Sequence, residues 1–226
     1  MTPPAGRGVP EPRGALLRVP LVTGTPDRPA GTTPDGVDAP AAPTPSAPTS
    51  LGPDWVLGPD GLRHRRGARV LLLDAADRVL LARGHDTDQP DRSWWFTIGG
   101  GIEPGESDLD AAVREVREET GLHLDPTALE GPVWTRSAIF DFYRERCRQD
   151  EVFYLARLND QHTNRPLTRD GWTEVEHDVV DEMRWWTLPE LRAVTIEVFP
   201  AGLPDLLQPL LHGWDGSTRH LGEATE

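Results

Sequence analysis

Ile98-Gly-Gly-Gly-Ile-Glu-Pro-Gly-Glu106 followed by Ser107-Asp-Leu-Asp-Ala-Ala-Val-Arg-Glu-Val-Arg-Glu-Glu-Thr-Gly121 carries two patterns on one segment. Leu109, Ala112, Val113 and Val116 follow the i, i+3, i+4, i+7 spacing, which predicts a helix with one buried stripe. Ser107 followed by Asp110 has the form of a capping box, and Gly121 stands where a helix stops in the left-handed conformation. Glu115, Glu118 and Glu119 lie at i, i+3 and i+4, so three carboxylates share one sector of that helix. Like charges at this spacing repel by a few tenths of a kcal/mol, and something must balance them. Arg114 can pair with Glu118, and Arg117 adds a second cation. A hard divalent cation, Mg²⁺ or Mn²⁺, is the species that clustered carboxylate oxygens suit best. A solvated acidic face with arginine partners accounts for the helix equally well.

The residues before the helix separate these readings. Gly100, five residues, Glu106, seven residues, Arg114-Glu115-Val116, one residue, Glu118-Glu119, one residue and Gly121-Leu122 match the Nudix box at every fixed position, and Gly99 to Glu106 and Ala111-Ala112 resemble its usual surroundings. Ile98 departs from the pattern, standing where many members have proline. The chain from about Arg69 to Leu191 therefore resembles the Nudix hydrolases. That resemblance implies an α/β/α sandwich around a mixed sheet and metal-dependent hydrolysis of a nucleoside diphosphate linked to another moiety. It implies Glu115, Glu118 and Glu119 as metal-binding and catalytic carboxylates, Glu106 as a further acid near the metal, and Gly100 as a loop glycine whose carbonyl joins the metal site. Arg114 corresponds to the arginine that orients the box glutamates. The general base is sometimes a box glutamate and sometimes an acid from a later loop. Glu115 is one choice, with Glu174, Glu176, Asp178 and Glu182 as others that read individually as plain surface acids.

Outward from the box, Val70–Leu73 and Val79–Ala82 are apolar runs joined by five turn-prone residues, which predicts a hairpin. Trp94–Ile98, Val133–Tyr143, Val152–Leu158 and Met183–Trp186 have strand composition, and Leu188–Val194 and Leu203–Leu211 read as closing helices. Asn159–Val180 reads as a long polar loop of the functional kind. Strands mixed with a few helices make the fold α/β with a mixed sheet. Trp94 and Trp95 must point to opposite faces of their strand, one into the core; Trp95, Phe140 and Arg83 are taken as substrate-contacting residues. The histidines show no ligand spacing, and Cys147 has no neighbouring histidine to activate it.

The chain of 226 residues divides at about residue 60. Residues 1–60 hold 14 of the 23 prolines and little to bury, which predicts a disordered N-terminal extension, with Val19–Val22 the one scrap able to dock as a strand. The alternative is that Leu16–Val22 and Trp55–Leu57 pack on the hydrolase domain of residues 61–226; otherwise deleting residues 1–59 should leave fold and activity intact. The 37 acidic residues outnumber 23 basic ones, all arginine, for a net charge of −14. That balance disfavours nucleic acid as a partner, whereas a small nucleotide can bind across a divalent cation. One cysteine excludes an internal disulfide, and no apolar run is long enough for a membrane span, so a cytoplasmic protein is expected, with a homodimer permitted. The competing functional class is a nucleotide-binding sensor that keeps the fold without turnover. The complete set of box glutamates argues against it.

Overall fold

The computed structural model describes residues 51–226 apart from 53, 86–88, 90 and 143. The expectations for residues 1–50 and for Tyr143 lie outside the described residues. In chain order the elements are β1 (Val56–Leu57), β2 (Arg63–Leu73), β3 (Val79–His85), β4 (Ser93–Gly101), α1 (Asp108–Thr120), β5 (Leu129–Phe142), β6 (Glu145–Arg157), α2 (Asp160–Thr163), α3 (Glu174–Val179), β7 (Val180–Trp186), α4 (Leu188–Arg192), β8 (Glu197–Phe199), α5 (Leu203–Leu210) and β9 (Arg219–Thr225).

The strands form one mixed sheet in the order β7-β3-β4-β2-β6-β5-β9, with β1 on β2 and β8 on β4. The β2–β6, β5–β9 and β4–β8 pairs are parallel, and the rest are antiparallel. Alternation along β2 explains the layering. Val70 and Leu72 are buried with Ala111, Ala112 and Val116 of α1, whereas Leu71 and Leu73 are buried with Leu188 and Leu191 of α4 and Leu203 and Leu207 of α5. Helices thus cover both faces, the α/β/α sandwich expected.

Three local differences from the sequence reading have simple causes. Ala111 joins the buried stripe of α1, and Val113 is only partly buried, because the helix meets a broad sheet rather than a narrow seam. The stretch expected to be one long loop contains α2 and α3; Thr173 and Glu176 close a reciprocal capping box that starts α3. Leu51 and Trp55 are buried in a small cluster with Cys147, with Phe140 and Phe142 packed on it; of the Trp55–Leu57 alternative only Trp55 is packed, while Val56 and Leu57 pair with β2 and stay exposed, and the burial of Leu51 is not among the sequence expectations.

Candidate active site

The C-terminal end of β4 and the cavity-facing side of α1 meet at glycines. A side chain on Gly100 would place its Cβ 2.7 Å from Glu115 Oε2, so only glycine lets the strand pass this close to the carboxylate. Gly99, at φ +128, donates its N–H to Glu119 Oε2 at 2.8 Å. The helix itself is set as the sequence predicts: the Ser107 hydroxyl accepts from Asp110 N at 3.1 Å, and Gly121 closes the last turn at φ 74. Trp172 Nε1 donates to the Glu119 carbonyl at 2.8 Å, tying the stretch before α3 to α1.

Three carboxylates converge there: oxygens of Glu115, Glu119 and Glu176 lie within 4.8 Å of one another. Glu115 and Glu119 are each only 6% exposed. Burial pushes the Glu115 carboxyl up to about 7 despite Arg114 beside it, with Glu176 and Glu118 adding to the rise. Burial, and then the charges of Glu115 and Glu176, raise Glu119 well above the usual carboxylate range against the Gly99 N–H and Arg69. Buried, mutually repelling oxygens of this kind are the donor set that a hard divalent cation satisfies.

Glu118 and Glu106 stand apart from that trio. Arg114 gathers them, donating from Nε to Glu106 at 2.9 Å and from Nη1 to Glu115 at 2.8 Å and Glu118 at 2.9 Å. Its Nη2 also donates to Glu106 at 2.9 Å and to the Gly101 carbonyl at 2.7 Å. Hydrogen bonding to Arg114 holds Glu106 below the usual range, and the same contact, with those to Glu115 and Glu118, holds the guanidinium firmly charged. Arg114 therefore sits where the box resemblance puts an orienting residue.

The trio opens into a cavity of about 660 Å³. The strand side carries Arg65, Arg69, Arg136, Gln149 and Glu151, and the aromatic lining includes Trp94, Phe96, Phe140 and Phe142. Arg65 donates to Gln149 Oε1 at 2.7 Å and to Asp54 at 3.2 Å, and stacks on Trp55 at 4.3 Å.

A family model described as the NUDIX domain matches residues 63–205. The chain belongs to the Nudix family. As a Nudix protein it is a pyrophosphohydrolase. It is 30% identical over 170 residues to an RNA pyrophosphohydrolase of Pseudomonas putida, a match covering 69% of this chain and 98% of that one. An RNA pyrophosphohydrolase of Ruthia magnifica subsp. Calyptogena magnifica is 29% identical over 135 residues, 56% of this chain and 72% of that one. The crystal structure of the MutT protein from Methanosarcina mazei Go1 aligns with a TM-score of 0.46 and 16% identity over 66% of this chain and 94% of that one, too loosely to add to the assignment.

Within this Nudix domain the structure moves two of the residues expected to touch substrate. Trp95 faces the α4–α5 layer, edge-on to Trp186 with ring centroids 4.8 Å apart. Its strand neighbours Trp94 and Phe96 line the cavity instead, as alternation requires. Arg83 pairs with Asp181 at 3.3 Å and Glu182 at 3.2 Å and is not part of the cavity lining. Phe140 does line it, packed edge-on to Trp55. Glu176, read as a surface acid, is the residue sequence reasoning undervalued; the capping box Thr173–Glu176 was the available signal that it begins a helix. Glu174 and Asp178 are exposed, and Glu182 is occupied by Arg83. Cys147 is fully buried and its thiol is pushed up to about 12, by burial first and then by Glu145, which leaves no thiolate at neutral pH.

Proposed function

We propose that this chain hydrolyses a phosphoanhydride bond in a nucleoside diphosphate derivative, a nucleoside triphosphate or an ADP-ribose-like compound, with Mg²⁺ or Mn²⁺ bound by Glu115, Glu119 and Glu176. The observation that carries this reading is the convergence of those three carboxylates at one end of a cavity of about 660 Å³ whose remaining wall is partly aromatic. That volume suits a mononucleotide-sized ligand, and the rings offer stacking surface for a base. Among the described residues, nine acidic and five arginine side chains line the cavity, so a polyphosphate enters against net negative charge. When bound, the cation offsets that repulsion, polarises phosphoryl oxygens and lowers the pKa of adjacent water.

The chain's own residues supply the rest. Arg114 fixes the rotamers of Glu106, Glu115 and Glu118 through the bonds given above, so the carboxylates are oriented before substrate arrives. Glu118 lies outside the trio and is partly exposed; one of its oxygens accepts from Arg114 Nη1, and the other is placed to accept a proton from an attacking water. Gly100 contributes no side chain between the strand and Glu115, which lets the carboxylate seat directly against the strand. The names of two relatives state RNA pyrophosphohydrolase for them, and a 5′-triphosphate on RNA would be chemically the same target. The acidic lining and the net charge of −14 favour the small nucleotide here.

The test is product chromatography with Mg²⁺ and a panel of nucleoside triphosphates, ADP-ribose, nucleotide sugars, dinucleotides and a 5′-triphosphorylated oligoribonucleotide, beside Glu118→Gln and Glu119→Gln. A small-nucleotide product that both variants lose supports the reading. Turnover of the oligoribonucleotide alone would replace the substrate class, and binding without turnover would make the domain a sensor.

A further inference from the structure

Residues 219–226 lie beyond the stretch 63–205 that matches the family, yet the last of them, Glu226, lines the cavity. β9 runs parallel to β5 with Thr225 opposite Ile139, and Glu226 N–H donates to the Ile139 carbonyl at 2.9 Å. This register aims the Glu226 carboxylate at Arg136 Nη1, and the two side chains are each only 7% exposed. Arg136 Nε donates to one oxygen of Glu151 at 2.5 Å, while the other oxygen of Glu151 accepts from Arg69 Nε at 2.8 Å. Two arginines are therefore matched by two glutamates on the strand side of the cavity. Without Glu226 that wall carries one cation in excess. A guanidinium in a sheltered cavity is a strong seat for phosphate oxygens, and here the chain's own carboxylate fills it.

We propose that Glu226 is a specificity-determining residue: its carboxylate occupies the anion seat on Arg136, so the cavity favours nucleotide derivatives whose group beyond the diphosphate is uncharged over those with a further phosphate. The proposal builds on the nucleotide reading above, but its first test does not need turnover. In EDTA, the full chain is titrated with inorganic pyrophosphate by calorimetry, wild type beside Glu226→Gln, Glu226→Ala and the double variant Arg136→Gln/Glu226→Gln. Gaining one charge-assisted contact is expected to tighten binding about tenfold in both single variants, and the double variant should return to the wild-type value. Equal affinity in wild type and single variants overturns the proposal, as does a gain that survives in the double variant. Under Mg²⁺, the kcat/KM ratio of ATP to ADP-ribose should rise in Glu226→Gln; an unchanged ratio also overturns it. If wild type turns over no nucleotide at all, the functional reading fails while the EDTA titration still decides the role of Glu226.

Discussion

Gly99 and Gly100 are adjacent, and the structure gives them different duties. A Cβ on Gly99 would lie 2.2 Å from the Ala68 carbonyl, at a backbone φ of +128 that side chains rarely adopt. Gly99→Ala is expected to cost about 2 kcal/mol or more of stability, read by chemical denaturation. A Cβ on Gly100 would meet only the end of Glu115, which can swing away. Gly100→Ala should therefore keep the fold and lose about tenfold or more in kcat, because a displaced carboxylate costs catalysis more than it costs folding. Glu119 makes a third case. Its raised pKa means that folding without metal disfavours its charged form; the stabilisation tied to the neutral form is present below the ordinary value and is lost as pH rises through the raised one. Glu119→Gln should thus melt no earlier than wild type in EDTA at neutral pH, while losing turnover by about a hundredfold or more. A lower Tm together with retained turnover would show that Glu119 is structural only.

Elements meet across the cavity through buried ion pairs and one aromatic plug. Glu151 on β6 binds Arg69 on β2 and Arg136 on β5; burial works against its charge, but the two guanidinium groups win and hold it at about 2. A carboxylate with a depressed folded pKa contributes stability above the unfolded value near 4.5 that disappears as pH falls through about 2. Acid unfolding of wild type should accordingly steepen across that window, and Glu151→Gln should flatten it while lowering stability at neutral pH. The aromatic plug is Trp55, buried against Phe140 and under Arg65. Trp55→Ala should cost about 3–5 kcal/mol. By the same packing, a chain starting at Gly61 should melt below one starting at Leu51, in contrast to the composition-based expectation that residues 1–59 are dispensable.

For the molecule as a whole, the proposed divalent cation would offset the net charge of −14 and the acidic lining, and so bear on stability as well as on chemistry. Because the carboxylate trio is assembled only in the folded chain, Mg²⁺ or Mn²⁺ should raise Tm with concentration, and Glu115→Gln/Glu119→Gln should abolish the shift. Among the described residues, no helix is long and apolar enough to cross a membrane. Whatever is written in local order can be read without the fold. Helix α1, its caps, its buried stripe and its carboxylate sector follow from spacings of three and four, and strands β2 to β7 follow from apolar runs between turns, whereas the short or polar β1, β8 and β9 do not. Tertiary structure alone decided which side of each element meets the cavity. Period two puts Trp94 and Trp95 on opposite faces, but only the α4–α5 layer with Trp186 settles which one is buried. Period 3.6 puts three glutamates in one sector, but only Arg114 and the docking of α3 draw Glu118 aside and bring in Glu176. Glu226 reaches Arg136 through the pairing of β9 with β5, a contact between residues 90 positions apart. No local periodicity encodes such a contact, because it is the folding of the whole sheet that brings the two residues together.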